Sequence, residues 1–248
     1  MNKTLSCLCL SLLVSLAVSN AIGQEVQLTA PATAAVELYS PDGGIVGGDV
    51  LLQSREIKIG GKAQTLSAWH ITAGLGFEPL EWLLIQAGAG VAAADVEDGA
   101  NGEAGFEWLV RADANMLEFV IEDSPVLGKV QSVSLAAYVS YRSAQSSAST
   151  GDLSWNELQV SPYVNYVHNL QGPDRWSPYQ PKAVALRTGL LFSTIDGDVA
   201  GQGIKENRDF GLLVGTDFQF DSGWVFNITG YAFSADELCV EAGLGYHF

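Results

Sequence analysis

Leu238-Cys239-Val240-Glu241-Ala242-Gly243-Leu244-Gly245-Tyr246-His247-Phe248 divides into two faces when every second residue is taken. Leu238, Val240, Ala242, Leu244, Tyr246 and Phe248 share one side. Cys239, Glu241, Gly243, Gly245 and His247 share the other. Successive side chains on a strand point to opposite faces, so this period of two predicts a β-strand rather than a helix. One face is apolar along its whole length and ends in two aromatics, while the other is small, polar or charged.

The same alternation recurs through the chain. It is clear in Ser67–Phe77, Trp82–Val91, Phe106–Ala114, Leu117–Ile121, Ser132–Tyr141, Glu157–Tyr166, Val184–Ser193, Phe210–Gln219 and Trp224–Tyr231. It is weakest in Asp49–Ile59. The apolar parity flips between Ala114 and Leu117, which predicts a one-residue bulge near Met116. Pro162 removes a ladder donor from its segment. The links Glu78–Leu80 and Asp221–Gly223 are tight, whereas Ala94–Gly105, Ser143–Asp152 and Asp196–Asp209 read as longer polar loops. Joining the two parts around Met116 leaves ten strands from Asp49 to Phe248, and eight if the first segments stay outside the wall. No βαβ spacing interrupts them, so the fold class is all-β, an antiparallel up-and-down barrel.

The amino-terminal stretch places Lys3 before an apolar run from Leu5 to Val18 and small residues at Ser19 and Ala21. A basic start, a short apolar core and small residues before the cut describe a secretory signal peptide, expected over 1–23 with cleavage after Ala21 or Gly23. Residues 24–48 read as a lead-in and 49–248 as the barrel. Cys7 and Cys9 fall in the signal, which leaves Cys239 and allows neither an internal disulfide nor a cysteine metal site. The composition is 48% hydrophobic and only 16% charged, against about 25% charged in a typical soluble domain. The formal charge of −16 disfavours nucleic acid and bare anionic lipid as partners.

A signal peptide together with a last strand ending in Tyr246-x-Phe248 resembles the bacterial outer-membrane β-barrels, the small porin-like barrels in particular. The resemblance implies a transmembrane barrel in the outer membrane of a Gram-negative envelope, with Tyr246 and Phe248 as the signal read by the assembly machinery. It also implies outer-membrane lipid, that machinery and periplasmic chaperones as partners, and a monomer. Tilted membrane strands need only about 9–11 residues, which these segments supply. The aromatics sort by height: Phe77, Trp82, Tyr166, Phe218, Trp224, Tyr246 and Phe248 at the terminal end, and Trp69, Phe106, Trp108, Tyr141, Phe192 and Phe210 at the other. Two such girdles match the two interfaces of a bilayer. A soluble secreted sandwich or lipocalin-like barrel also alternates, but its charged face points outward; here the face opposite the grease is mostly Gly, Ala and Ser.

Glu107, Arg111, Asp113, Glu157, Arg187, Asp217 and Glu241 fall on the inward face. Charges there must be paired or watered. They read either as ion pairs plugging the lumen or as a cation-favouring constriction. Binding or adhesion through the polar loops is the competing class. No enzyme is expected: His70 lies near one end of its strand and His168 and His247 near the other, so no histidine cluster forms. No cofactor or metal motif is read, since the acidic residues around Asp95–Glu103 and Asp196–Asp198 lack an ordered calcium-loop spacing.

Overall fold

A chain of alternating faces buries its backbone polar groups only by pairing strand to strand, and an exposed edge is removed only by closure. The computed structural model describes residues 43–97, 102–124, 129–148, 151–170 and 180–248. The expected signal peptide and most of the lead-in lie outside the described residues. The strands are β1 (Gly44–Ile59), β2 (Lys62–Leu80), β3 (Leu83–Val96), β4 (Gly102–Ser124), β5 (Lys129–Ala148), β6 (Leu153–Asn169), β7 (Ala183–Val199), β8 (Gln202–Glu206), β9 (Phe210–Gln219), β10 (Trp224–Ala232) and β11 (Leu238–His247). Ten of them close an antiparallel ring in the order β1 to β7, then β9, β10 and β11, with β11 returning to β1 from Ile45↔His247 to Gln53↔Cys239. The end of the barrel holding Gly44 and Phe248 is called the near end below, and the opposite one the far end.

The outward face changes character along the strands. Between the two ends it is apolar and exposed, with Leu75 at 65%, Leu190 at 62% and Leu52 at 57%. Past Trp69, Trp108 and Tyr141 the amphipathicity inverts while the pleat runs on. On β1, Val50 and Leu52 point out, but Ile57 and Ile59 point in, with Lys58 outward between them. On β6, Val160 and Val164 face out, but Leu153 and Trp155 are buried inside. One wall therefore presents two outer surfaces: an apolar one around its near part and a polar one around its far part.

Three strand limits differ from the sequence reading for this reason. The stretches Ala94–Gly105, Ser143–Asp152 and Asp196–Asp209, read as loops, are largely strand: β3 continues to Val96, β5 to Ala148 and β7 to Val199, and β8 follows. Their apolar residues face inward and their polar residues outward, so they break the parity of the lower segments and look like loop. At the other end β1 begins at Gly44 rather than Asp49. Gly47 and Gly48 resemble a turn, but they let neighbouring backbones approach; a Cβ on either would stand 2.7 Å from a carbonyl oxygen of Leu244 or Thr72.

Two irregularities sit where expected. The β4–β5 register shifts between Asn115 and Leu117, placing the bulge at Met116. Pro162 interrupts the β6–β7 ladder between Val160 and Tyr163. The carbonyl of Leu190 opposite receives the Ser161 hydroxyl instead, at 2.7 Å.

Candidate functional site

Among the described residues, the lumen gathers the buried polar side chains, and it has three levels. At the far end Ile57, Leu66, Leu153, Trp155, Ile195 and Ile204, each 0–1% exposed, pack with Ala68, Ala92, Ala94 and Val96 into an apolar core. The inward positions of six strands and β8 supply it, and its residues are the inverted ones described above.

Below the core lies a belt of charge. His70 and Glu107, both fully buried, are paired through Nδ1, and Nε2 of His70 donates to Gln53 Oε1 at 3.2 Å. Arg142 Nε stands 3.4 Å from the other oxygen of Glu107. Arg55 Nη1 is 3.5 Å from Glu157, which also accepts from Gln159 (2.9 Å) and the Ser193 hydroxyl (2.9 Å). Arg111 holds Asp113 with two hydrogen bonds, 2.7 and 3.1 Å, lies 3.6 Å from Glu241 and covers the Tyr138 ring at 4.4 Å. The Tyr231 hydroxyl donates to Glu241 at 2.7 Å. Arg187 donates to Asp217 at 2.8 Å and to Thr229 at 3.2 Å. Tyr138, Tyr163, Tyr231, Leu191 and Leu213 fill the space between these pairs.

At the near end the lumen opens as a cavity of about 170 Å³. Arg111, Asp113, Tyr163, Arg187 and Asp217 line its inner part, and Glu78, Glu81, Glu118 and His247 are also on its wall.

All seven charges singled out in the sequence thus point into the lumen, in neighbouring pairs rather than one cluster. Five partners were missed: Asp49, Arg55, His70, Arg142 and Glu206. Arg142 continues the inward parity of Ser132–Ser140 by one step and could have been found so. Asp49 and Arg55 sit on the weakest segment, and Glu206 within a stretch read as loop. Its carboxylate, on β8 beyond the apolar band, is pushed up to about 8 by burial and by Glu157, although Arg55 Nη2 at 2.9 Å pulls it down.

The aromatic rings are outside. Trp69, Phe106, Trp108, Tyr141 and Phe210 are exposed at the far limit of the apolar band, and Phe77, Trp82, Trp224, Tyr246 and Phe248 at the near one. Neighbours on adjacent strands touch: Trp108 with Tyr141 (5.3 Å between centroids) and Trp224 with Tyr246 (5.2 Å). Tyr166 also lies at the near end, its hydroxyl donating to Gln131 at 2.9 Å. Phe248 is tied to β1 by two backbone hydrogen bonds with Gly44.

No family model and no curated protein matches this chain. Among solved structures the chain is similar to an outer-membrane channel from Pseudomonas putida F1, at 7% identity and TM-score 0.41, covering 88% of this chain and 100% of that one. It is also similar to the transport unit of the autotransporter AIDA-I from Escherichia coli (9%, TM-score 0.39, 88% and 93% covered). A third is the outer membrane protease OmpT from Escherichia coli (10%, TM-score 0.37, 86% and 100% covered). These likenesses go no further than the arrangement of strands in a closed barrel.

Proposed function

We propose that this chain is an outer-membrane β-barrel without enzymatic activity, and that its role is structural. The observation that carries the membrane assignment is the inversion of the outward face, apolar only between two aromatic rings and polar beyond the far one. On this reading the near end, with short links at Glu81–Trp82 and Phe220–Gly223, faces the periplasm. The far extension stands clear of the outer leaflet. Outer-membrane lipid, the assembly machinery and periplasmic chaperones are its partners, and it acts as a monomer.

Of the two roles open to the lumen, the filling favours the structural one over a narrow cation-favouring passage. An apolar core and a belt of ion pairs lie in series across it, and the wide part opens only toward the near end. The absence of an enzymatic role is supported by His70. Its two ring nitrogens are engaged by Glu107 and Gln53, and the Thr72 hydroxyl donates to Asp49 at 2.5 Å, which favours a packing role for this imidazole.

Fractionation of cells expressing the chain is expected to place it in the outer membrane, with a gel mobility that shifts on boiling. Reconstituted in planar bilayers, it is expected to show no resolvable steady conductance. Recovery as a free periplasmic protein would overturn the membrane assignment. Discrete cation-selective steps would replace the structural role by the passage.

A further inference from the structure

Among the described residues, the wall is interrupted where three of its strands stop short. β9, β10 and β11 have 10, 9 and 10 residues, while β1 to β7 have 14 to 23. Above the three short strands the sheet continues only through β8, which pairs with β7 at Asp196–Val199 and with β1 at Ile57–Ile59. The ladders do not meet. On β1 the pairing with β11 stops at Gln53 and that with β8 starts at Ile57, leaving Ser54–Glu56 without a strand on that side. On β7 the pairing with β9 stops at Phe192 and that with β8 starts at Asp196, leaving Ser193–Ile195 in the same position. These two gaps face each other across the tops of β9, β10 and β11 and under β8. Together they frame a window in the barrel wall at the height of the far aromatic ring.

Polar contacts fill the window. The Asn207 amide donates to the Glu56 carbonyl (3.2 Å) and the Ser193 amide to the Asp209 carbonyl (2.8 Å). The Glu56 amide donates to the Glu237 carboxylate (3.2 Å), which Arg208 Nη1 also reaches at 2.9 Å from a side chain 47% exposed. Behind them, fully buried Arg55 reaches Glu206 (2.9 Å) and the Arg208 carbonyl (3.3 Å), with the Phe233 ring over its guanidinium at 3.2 Å. The axial route above is closed by apolar side chains that water cannot replace. The window is held by hydrogen bonds and ion pairs, and one of these, Arg208–Glu237, already has its arginine in solvent. The belt of lumen charge reaches Arg55, immediately behind this seam.

We infer that β8 with Asn207–Asp209 is a strap across a side port, and that the lumen opens here, at the outer edge of the apolar band, rather than along the axis. This goes beyond the structural role proposed above. The sealed lumen is tested by steady conductance and the strap by thiol access, so either can fail alone.

Cys239 is a native reporter. It is 4% exposed, faces inward at the top of β11 and forms the pair with Gln53 that marks the lower rim of the window. The full chain is folded in detergent micelles, treated with a small methanethiosulfonate reagent, and the modification at Cys239 is followed by peptide mass spectrometry. Glu237→Ala is expected to raise the rate at Cys239 by tenfold or more over the unaltered chain, with the heat-dependent gel shift retained. Adding Lys58→Cys and Lys205→Cys, which face each other across the β1–β8 ladder, and oxidising them first is expected to return the rate to the unaltered value. If Glu237→Ala does not fold, Arg208→Ala removes the same pair from its solvent side and is expected to raise the rate in the same way. An unchanged rate in a folded variant overturns the strap, as does acceleration that the β1–β8 disulfide does not reverse.

Discussion

Leu75→Arg is expected to destabilise the barrel in lipid by about 2–4 kcal/mol, the range for a cation placed near the bilayer midplane on a barrel's outer face. Leu75 is 65% exposed, between Ala73 and Phe77 on the outward side of β2, with Val46 and Ala87 opposite it on the adjoining strands. In water, so exposed a leucine would accept arginine within about 0.5 kcal/mol. The solvent around the wall alone therefore sets the size of the effect. Ser67→Arg, on the same face of the same strand but beyond Trp69, is the matched control and is expected to stay within about 0.5 kcal/mol. Reversible urea unfolding from phospholipid vesicles measures both, read as a change in midpoint at constant slope. Equal, small effects at the two sites would remove the membrane from the account.

Glu107→Ala is expected to cost about 3–5 kcal/mol in the same assay, because removing one partner of a buried ion pair leaves the others uncompensated. His70, fully buried, loses the carboxylate at Nδ1, and Arg142 Nε loses its neighbour at 3.4 Å. Asp49 stands 3.8 Å from Arg142 Nη2, a looser contact than the one removed. The distinction is between a paired group and a charge: replacing Glu107, His70 and Arg142 together by apolar residues of similar volume is expected to be far less costly than Glu107→Ala alone. A loss below about 1 kcal/mol for Glu107→Ala would mean that water reaches the pair freely, and the belt would then not be a plug.

Much of this architecture was legible in the sequence because the apolar outer face of the wall keeps one parity along each strand. Where the wall lies against the apolar band, Leu, Val and Phe mark every second residue, and the strand count, the bulge at Met116 and the inward set from Glu107 to Glu241 all follow from counting by two. Beyond the far ring the rule reverses. Trp155 and Ile195 serve the interior there, while Asn156 and Asp196 meet water, so a reading that keeps the lower parity sees only loop. β8 was hidden for a further reason. A five-residue strand of Gln, Gly, Ile, Lys and Glu has little pattern of its own, and its place is set by the two long strands whose ends it joins. The belt was half legible. Its residues could be assigned to the inward face, but which acid meets which guanidinium depends on stagger between strands distant in sequence, as with Arg55 and Glu157.

The ring of ten strands passes into one of eight where β9, β10 and β11 end and β8 takes over. At about 4.8 Å per strand, that shortens the circumference by about 10 Å. Eight strands enclose just enough room for side chains to fill, whereas ten leave space for water and salt links. The molecule is thus shaped like a stoppered flask, its neck solid with hydrocarbon and its bowl open at the near end.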